Sequence, residues 1–260
     1  MNASLWLAFR LGARRGWGEK AGIIGQCAIL WALIVSYGVL FRFIPAETLA
    51  RLQITPPQLA WYLVLTQIIA SLNMISGYQI MQENVRSGAL EIFLLRPVDF
   101  WQLELGEWMG SVLVKITFAG AFAFGIGFWT THTWLLHFKL LILIPILIAA
   151  AIIMMSAHLI IGCSTIWLSE CRPVFWFWHK CQFLFGALLW PLLFYPHWLQ
   201  KAVWFTPFPS TLAIAGNLAL YQPGWQTALQ CGIQLCWVVI MLLAARAMAK
   251  AVRHKLMKGG

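Results

Sequence analysis

The chain has 260 residues, of which 61% are hydrophobic and only 10% charged, with a formal net charge of +10 at pH 7. Soluble domains carry about 25% charged residues, so this composition excludes one and indicates an integral membrane protein. Cys27, Cys163, Cys171, Cys181, Cys231 and Cys236 fall within the expected spans or on their cytoplasmic side, where disulfides are not expected.

Residues 1–20 do not read as a signal peptide, because the apolar run Leu5 to Phe9 is short and is followed at once by Arg10, Arg14 and Arg15. Leu5, Trp6, Phe9, Gly12 and Ala13 share one helical face, with Arg10 and Arg14 opposite. An N-terminal interfacial helix is expected, its arginines either seated among anionic headgroups or serving as a basic flank that orients the first span.

The first span is expected at 21–41, uncharged and long enough to cross a hydrocarbon core of about 30 Å. Pro56 and Pro57 open a second, at 59–79. Between it and a third span at 108–129 lies a charged stretch from Glu83 to Pro97, in which Leu90, Phe93 and Leu94 share a helical face and Pro97 stops the helix near Leu95. Such a short amphipathic helix either docks into a partner's groove or lies flat on lipid. Lys115, about two turns inside the third span, is expected to snorkel to the near interface.

A fourth span at 140–168, interrupted by Pro145, Ser156 and His158, is longer than a crossing needs. The fifth is expected at 182–195 and the sixth at 225–245. The connection between them, from Tyr195 to Gly224, has Lys201 as its one formal charge and is rich in proline and aromatic residues. It is too apolar for a solvated loop and reads as re-entrant outer-leaflet helices, one with Ser210 as its N-cap.

With the N-terminus inside, thirteen basic residues are cytoplasmic (Arg10, Arg14, Arg15, Lys20, Arg86, Arg96, Arg172, Lys180, Arg246, Lys250, Arg253, Lys255, Lys258). Four are outside (Arg42, Arg51, Lys139, Lys201). This bias places both termini in the cytoplasm and accounts for the net charge without nucleic acid. All eight carboxylates lie outside the expected spans or at their edges, which counts against a proton- or sodium-coupled carrier. No paired buried carboxylates, His-Glu-x-x-His motif or catalytic triad supports an intramembrane enzyme, and Cys171, His179 and Cys181 have the spacing of no usual zinc site. With no phosphate-binding loop and no cytoplasmic segment large enough for a nucleotide-binding domain, any ATPase must be a separate chain. Gln67, Asn73, Ser71 and Ser76 in the second span face either a pathway or neighbouring helices.

The run Glu83, Arg86, Gly88, Leu90, Glu91, Leu94, Leu95, Pro97, with Leu105 and Gly106 beyond it, resembles the Glu-x-x-x-Gly-Thr-Leu-Glu-x-Leu-Leu-x-x-Pro pattern of ABC-2 type permeases. Ala89 stands for the usual Thr, and Glu83 and the Leu94-Leu95 pair are each one residue further out. Pro191, Tyr195, Pro196, Trp198, Leu199 and then Thr206, Pro207, Phe208 are similar to the family's proline-rich region after the fifth span. Gln234 and Trp237 before a basic tail resemble the ending of its six-span bacterial subgroup.

The resemblance implies one all-α transmembrane domain over 1–260, in the bacterial inner membrane, that exports a substrate. It implies a second permease subunit and an ABC ATPase as partners, membrane lipid around them, and ATP and Mg on the ATPase with no cofactor on this chain. A coupling helix would lie at 87–95, with Glu83, Arg86, Gly88, Leu90, Glu91, Leu94 and Pro97 as its coupling residues. Pro191, Pro196, Trp198, Pro207 and Phe208 would belong to the outer gate. A channel or lipid-handling scaffold is the alternative, although no polar ring at one depth supports a channel.

Overall fold

A computed structural model describes residues 3–71, 77–90, 99–133 and 139–257, and among these every regular element is helical. The helices are α1 (Ala3–Gly18), α2 (Lys20–Phe41), α3 (Ala46–Arg51), α4 (Pro56–Ala70), α5 (Gly77–Arg86), α6 (Phe100–Thr131), α7 (Lys139–Cys163), α8 (Arg172–Phe185), α9 (His197–Val203), α10 (Phe208–Thr211), α11 (Ala213–Leu220) and α12 (Trp225–Met257). Local chemistry sets several boundaries. Prolines 56 and 57 occupy the first turn of α4, where a missing N–H costs nothing, and Gln58 Oε1 accepts the Thr55 N–H at 2.8 Å. α6 stops where His132 turns left-handed, at φ 51°.

α4 is the centre of the bundle. Trp61, Tyr62, Leu63, Val64 and Leu65 are consecutive and all inaccessible, so no face of the helix is left for lipid or water. A helix apolar all round belongs inside the protein, and α2, α6 and α11 surround it. Gly216 of α11 lets that helix lie against Tyr62 and Thr66, and Gly127 of α6 admits the Trp61 ring. α7, also largely buried, separates α5 on one side from α12 on the other.

α1 runs parallel to the first half of α6. Gly12 and Gly16 of α1 meet the backbone of Glu107 and Ser111, while Gly106 and Gly110 of α6 meet Ala8 and Phe9. Small residues four apart on both helices bring the two backbones together. Two ion pairs flank the seam: Arg15 with Glu107 and Lys115 with Glu19, each at 2.6 Å. α1 is therefore fixed along its length by another helix.

Among the described residues four helices are long and apolar enough to cross a membrane, at Lys20–Phe41, Phe100–Thr131, Lys139–Ile166 and Trp225–Met257, and they contain most of four of the six expected spans. The other two differ. Around 59–79 the structure describes α4, which ends at Ala70, and α5 from Gly77, while residues 72–76 lie outside the described residues. Around 182–195 the helix lies earlier, at Arg172–Phe185, and Ala187 breaks it with φ 58°. Ser210 is not an N-cap but sits inside α10. Lys115 does not snorkel to water alone, since its ammonium has Glu19 as partner. Lys139, expected outside, is buried and donates to Leu218 O at 2.8 Å and Tyr221 O at 3.1 Å, neutralising the carbonyl end of α11.

The Tyr195–Gly224 connection is as apolar in structure as in sequence, with Val203, Leu212, Ala213 and Leu218 buried. Polar side chains of the long helices tie it and the preceding break down. Tyr62 OH donates to Ala187 O, Thr66 Oγ1 to Leu188 O at 2.9 Å, and Gln234 Nε2 to both Ile146 O and Ser210 O at 3.1 and 2.8 Å. Removing one such donor strands a buried carbonyl at a cost of about 1–3 kcal/mol. Tyr62→Phe is therefore expected to lower the melting midpoint in detergent by several degrees, and an unchanged midpoint would show that the Ala187 turn does not depend on this bond.

Candidate functional site

One end of the bundle gathers the charged stretch that stands out in the sequence. α5 reaches it as an amphipathic helix, with Gly77, Tyr78 and Met81 buried and Glu83 and Arg86 exposed. Gly162 of α7 lets the α5 backbone approach, because a Cβ there would lie 2.5 Å from Met81 Cβ and 3.0 Å from Tyr78 O. On the other flank Gly77 fits against the Trp108 ring of α6, and Tyr78 stacks on Phe175 of α8 with centroids 4.2 Å apart and planes at 19°.

Polar contacts then tie the exposed end of α5 to its surroundings. Asn84 Nδ2 donates to Glu104 Oε1 of α6 at 3.3 Å. Arg86 donates to Ser169 O and lies 3.5 Å from Glu170 Oε2, and Gln82 Oε1 accepts the Cys171 N–H at 3.3 Å. Hydrogen bonds from the Arg172 N–H and the Gln82 side chain, together with the Arg86 charge, hold the Glu170 carboxyl below its ordinary range. The guanidinium therefore faces a carboxylate at neutral pH.

The helix ends in a defined way. Ser87 donates to Glu83 O through both its N–H (2.8 Å) and its hydroxyl (2.7 Å), and Gly88 adopts φ +73°. A side chain at that φ is strained, and the turn redirects the chain so that Leu90, 1% exposed, enters the main core. Glu91, Leu94 and Pro97 lie outside the described residues, as does Asn73. Glu83, Arg86, Gly88 and Leu90 are brought together within this one helix end.

The residues assigned to the outer gate lie elsewhere. Pro191 and Pro196 precede the short helical turn at Leu192–Phe194 and α9, and Pro207 precedes α10. Phe208 packs on Trp178 at 4.9 Å and Phe185 at 6.1 Å, whereas Trp198 is exposed. Gln67 is buried in α4 and its Nε2 finds no acceptor. Sequence reasoning missed the partners of α5, namely Gly162, Ser169, Glu170 and Cys171. Gly162 was visible as a small residue in an apolar run, but nothing in the sequence pairs it with Met81.

A central apolar helix packed in a bundle that, among the described residues, includes four helices of membrane-crossing length defines a helical integral membrane protein with a charged, helix-borne turn at one end of its bundle. A family model described as ABC-2 family transporter protein matches residues 55–258, and the chain belongs to that family. It is accordingly a membrane permease component of an ABC transporter. The match takes in α4 to α12 and leaves α1–α3 ahead of it. No curated protein matches the chain.

Proposed function

We infer that this chain is the permease subunit of an ATP-driven exporter of the bacterial inner membrane. It crosses six times with both termini in the cytoplasm, and pairs with a second permease, identical or related. α5 and the segment after it, 87–95, take up motion from a separate ATPase that binds ATP and Mg. α9, α10 and α11 close the outer side.

One observation carries this reading: the way α5 ends. The left-handed turn at Gly88 and the burial of Leu90 root the following segment in the core, while α6, α7 and the loop before α8 brace α5 from three directions. A push on α5 at this end would pass into α6 and α7, which suits a part that receives force.

The test is purification of the tagged chain from its host in mild detergent, with the Glu91→Arg variant in parallel. A Walker-type ATPase is expected in stoichiometric amount with the wild type and reduced about tenfold or more with the variant, since reversing a charge at an interface costs more than about 1.4 kcal/mol. Absence of any ATPase under conditions that preserve other membrane complexes would sink the exporter reading.

A further inference from the structure

The seam with α6 uses only one face of α1. Gly12 and Gly16 define that face, and at about 100° per residue Arg10 and Arg14 lie almost opposite it. Both arginines are exposed, and unlike Arg15 neither meets a carboxylate or other acceptor among the described residues. Residues four apart stand on successive turns with their Cβ atoms about 6 Å apart, so the two guanidiniums project side by side. The pairs Arg15–Glu107 and Lys115–Glu19 neutralise the inward side of the helix. The outward pair is left uncompensated.

Apolar side chains flank these arginines on both edges. Trp6 and Trp17 lie along one and Leu7 and Leu11 along the other, each between 49 and 59% exposed. Depth then decides what covers this face. Trp17 packs on Phe118 with centroids 5.3 Å apart, and Phe118, itself partly exposed, belongs to α6, a helix of membrane-crossing length. Phe122 is exposed one turn further along. The Trp17 ring therefore stands beside aromatic side chains that face hydrocarbon. At 1.5 Å per residue Arg14 lies about 4.5 Å and Arg10 about 10.5 Å back along α1. Headgroups occupy about 5–8 Å on each side of the hydrocarbon core, and an arginine side chain reaches several ångströms along the helix. Both guanidiniums thus stand at the level of lipid phosphates.

We propose that Arg10 and Arg14 form a binding site for an anionic phospholipid. The two guanidiniums hold one phosphodiester between them, Trp17 packs at the level of the glycerol backbone, and an acyl chain runs along Phe118 and Phe122. The site is independent of the coupling function proposed above. Its occupant would cover the face of α1 that protein leaves bare and hold the helix against its glycine seam from outside.

The experiment reconstitutes the full chain into phosphatidylcholine vesicles that contain a small fraction of phosphatidylglycerol carrying a diazirine on one acyl chain. Crosslinked residues are mapped by mass spectrometry. Adducts at Trp17, Phe118 or Phe122 are expected, and they should fall more than about tenfold when phosphatidylcholine carries the diazirine instead. The Arg10→Gln/Arg14→Gln double variant should show the same fall, since each basic residue at an anionic surface is worth about fivefold. Lys250→Gln/Arg253→Gln removes equal charge from exposed positions of α12 and is expected to leave the labelling unchanged. An equal fall in that variant would reveal a bulk charge effect and overturn the site. Equal labelling by the two lipids would also overturn it, and this comparison on the wild-type chain stands whether or not the variants fold. So would capture of the ATPase rather than lipid when Arg10 is replaced by the photo-crosslinker p-benzoylphenylalanine in the co-expressed complex.

Discussion

Gly110→Leu is expected to release α1 from α6. A Cβ at Gly110 would run into Phe9 O and come within 2.7 Å of Ala13 N. These are backbone atoms of a helix and cannot step aside, so α1 itself must move. Overpacking of this kind costs about 3 kcal/mol, and it carries further losses. The Arg15–Glu107 pair separates, and Lys115, whose side chain is only 11% exposed, loses Glu19. A charge left buried without its partner destabilises by several kcal/mol more. The measurement is a melting curve in detergent together with proteolysis at Arg14 and Arg15, which should become rapid. Gly125→Leu on the same helix is the control, because nothing lies within 4 Å of its would-be Cβ. If both variants melt alike, the glycine seam contributes nothing.

Gly162→Val acts on the opposite side of the bundle and on function as well as stability. Its added atoms would press on Met81 Cβ and Tyr78 O, close to or within the α5 backbone, so α5 must slide or tilt. The Tyr78–Phe175 stack and the reach of Arg86 to Ser169 both depend on that position. A loss of about 1–3 kcal/mol in stability is expected from the overpacking. The ATPase recovered with the chain is expected to fall about tenfold if the turn at Gly88 is displaced with the helix. Met81→Gly in the same chain should restore part of both, because it removes the Cβ that the new side chain meets and contacting residues do not behave additively. Failure of any rescue would place the damage somewhere other than the α5–α7 contact.

These two glycines also show where sequence reading stops. Hydropathy and length located the four long helices, because a run of about 20 apolar residues has few other uses. A single charge between Tyr195 and Gly224 was enough to say that this connection is not solvated. The charged stretch at 83–97 stood out for the same reason in reverse. Gly12, Gly16, Gly106 and Gly110 were equally visible, but a spacing of four says only that a close partner exists and not which helix supplies it. α4 reads as a span from its hydropathy. Its role as the centre of the bundle depends on three helices drawn from distant parts of the chain. Lys139 looks like a loop charge until α11 places its last carbonyls beside it. In each case the missing information is a pairing across tens of residues, which periodicity does not encode.

The α1–α6 seam has a consequence for the making of the protein. Arg15 and Glu107 are 92 residues apart, and Glu19 and Lys115 are 96 apart. At a synthesis rate of about 5–20 residues per second, α1 waits roughly 5–20 s after its own translation before α6 exists. During that interval its glycine face and its arginines must be held by whatever surface receives the nascent chain. The first helix made is thus seated only after α2 to α5 have followed it, and a mutation that slows the arrival of α6 is expected to expose α1 to the proteases that survey unfinished membrane proteins.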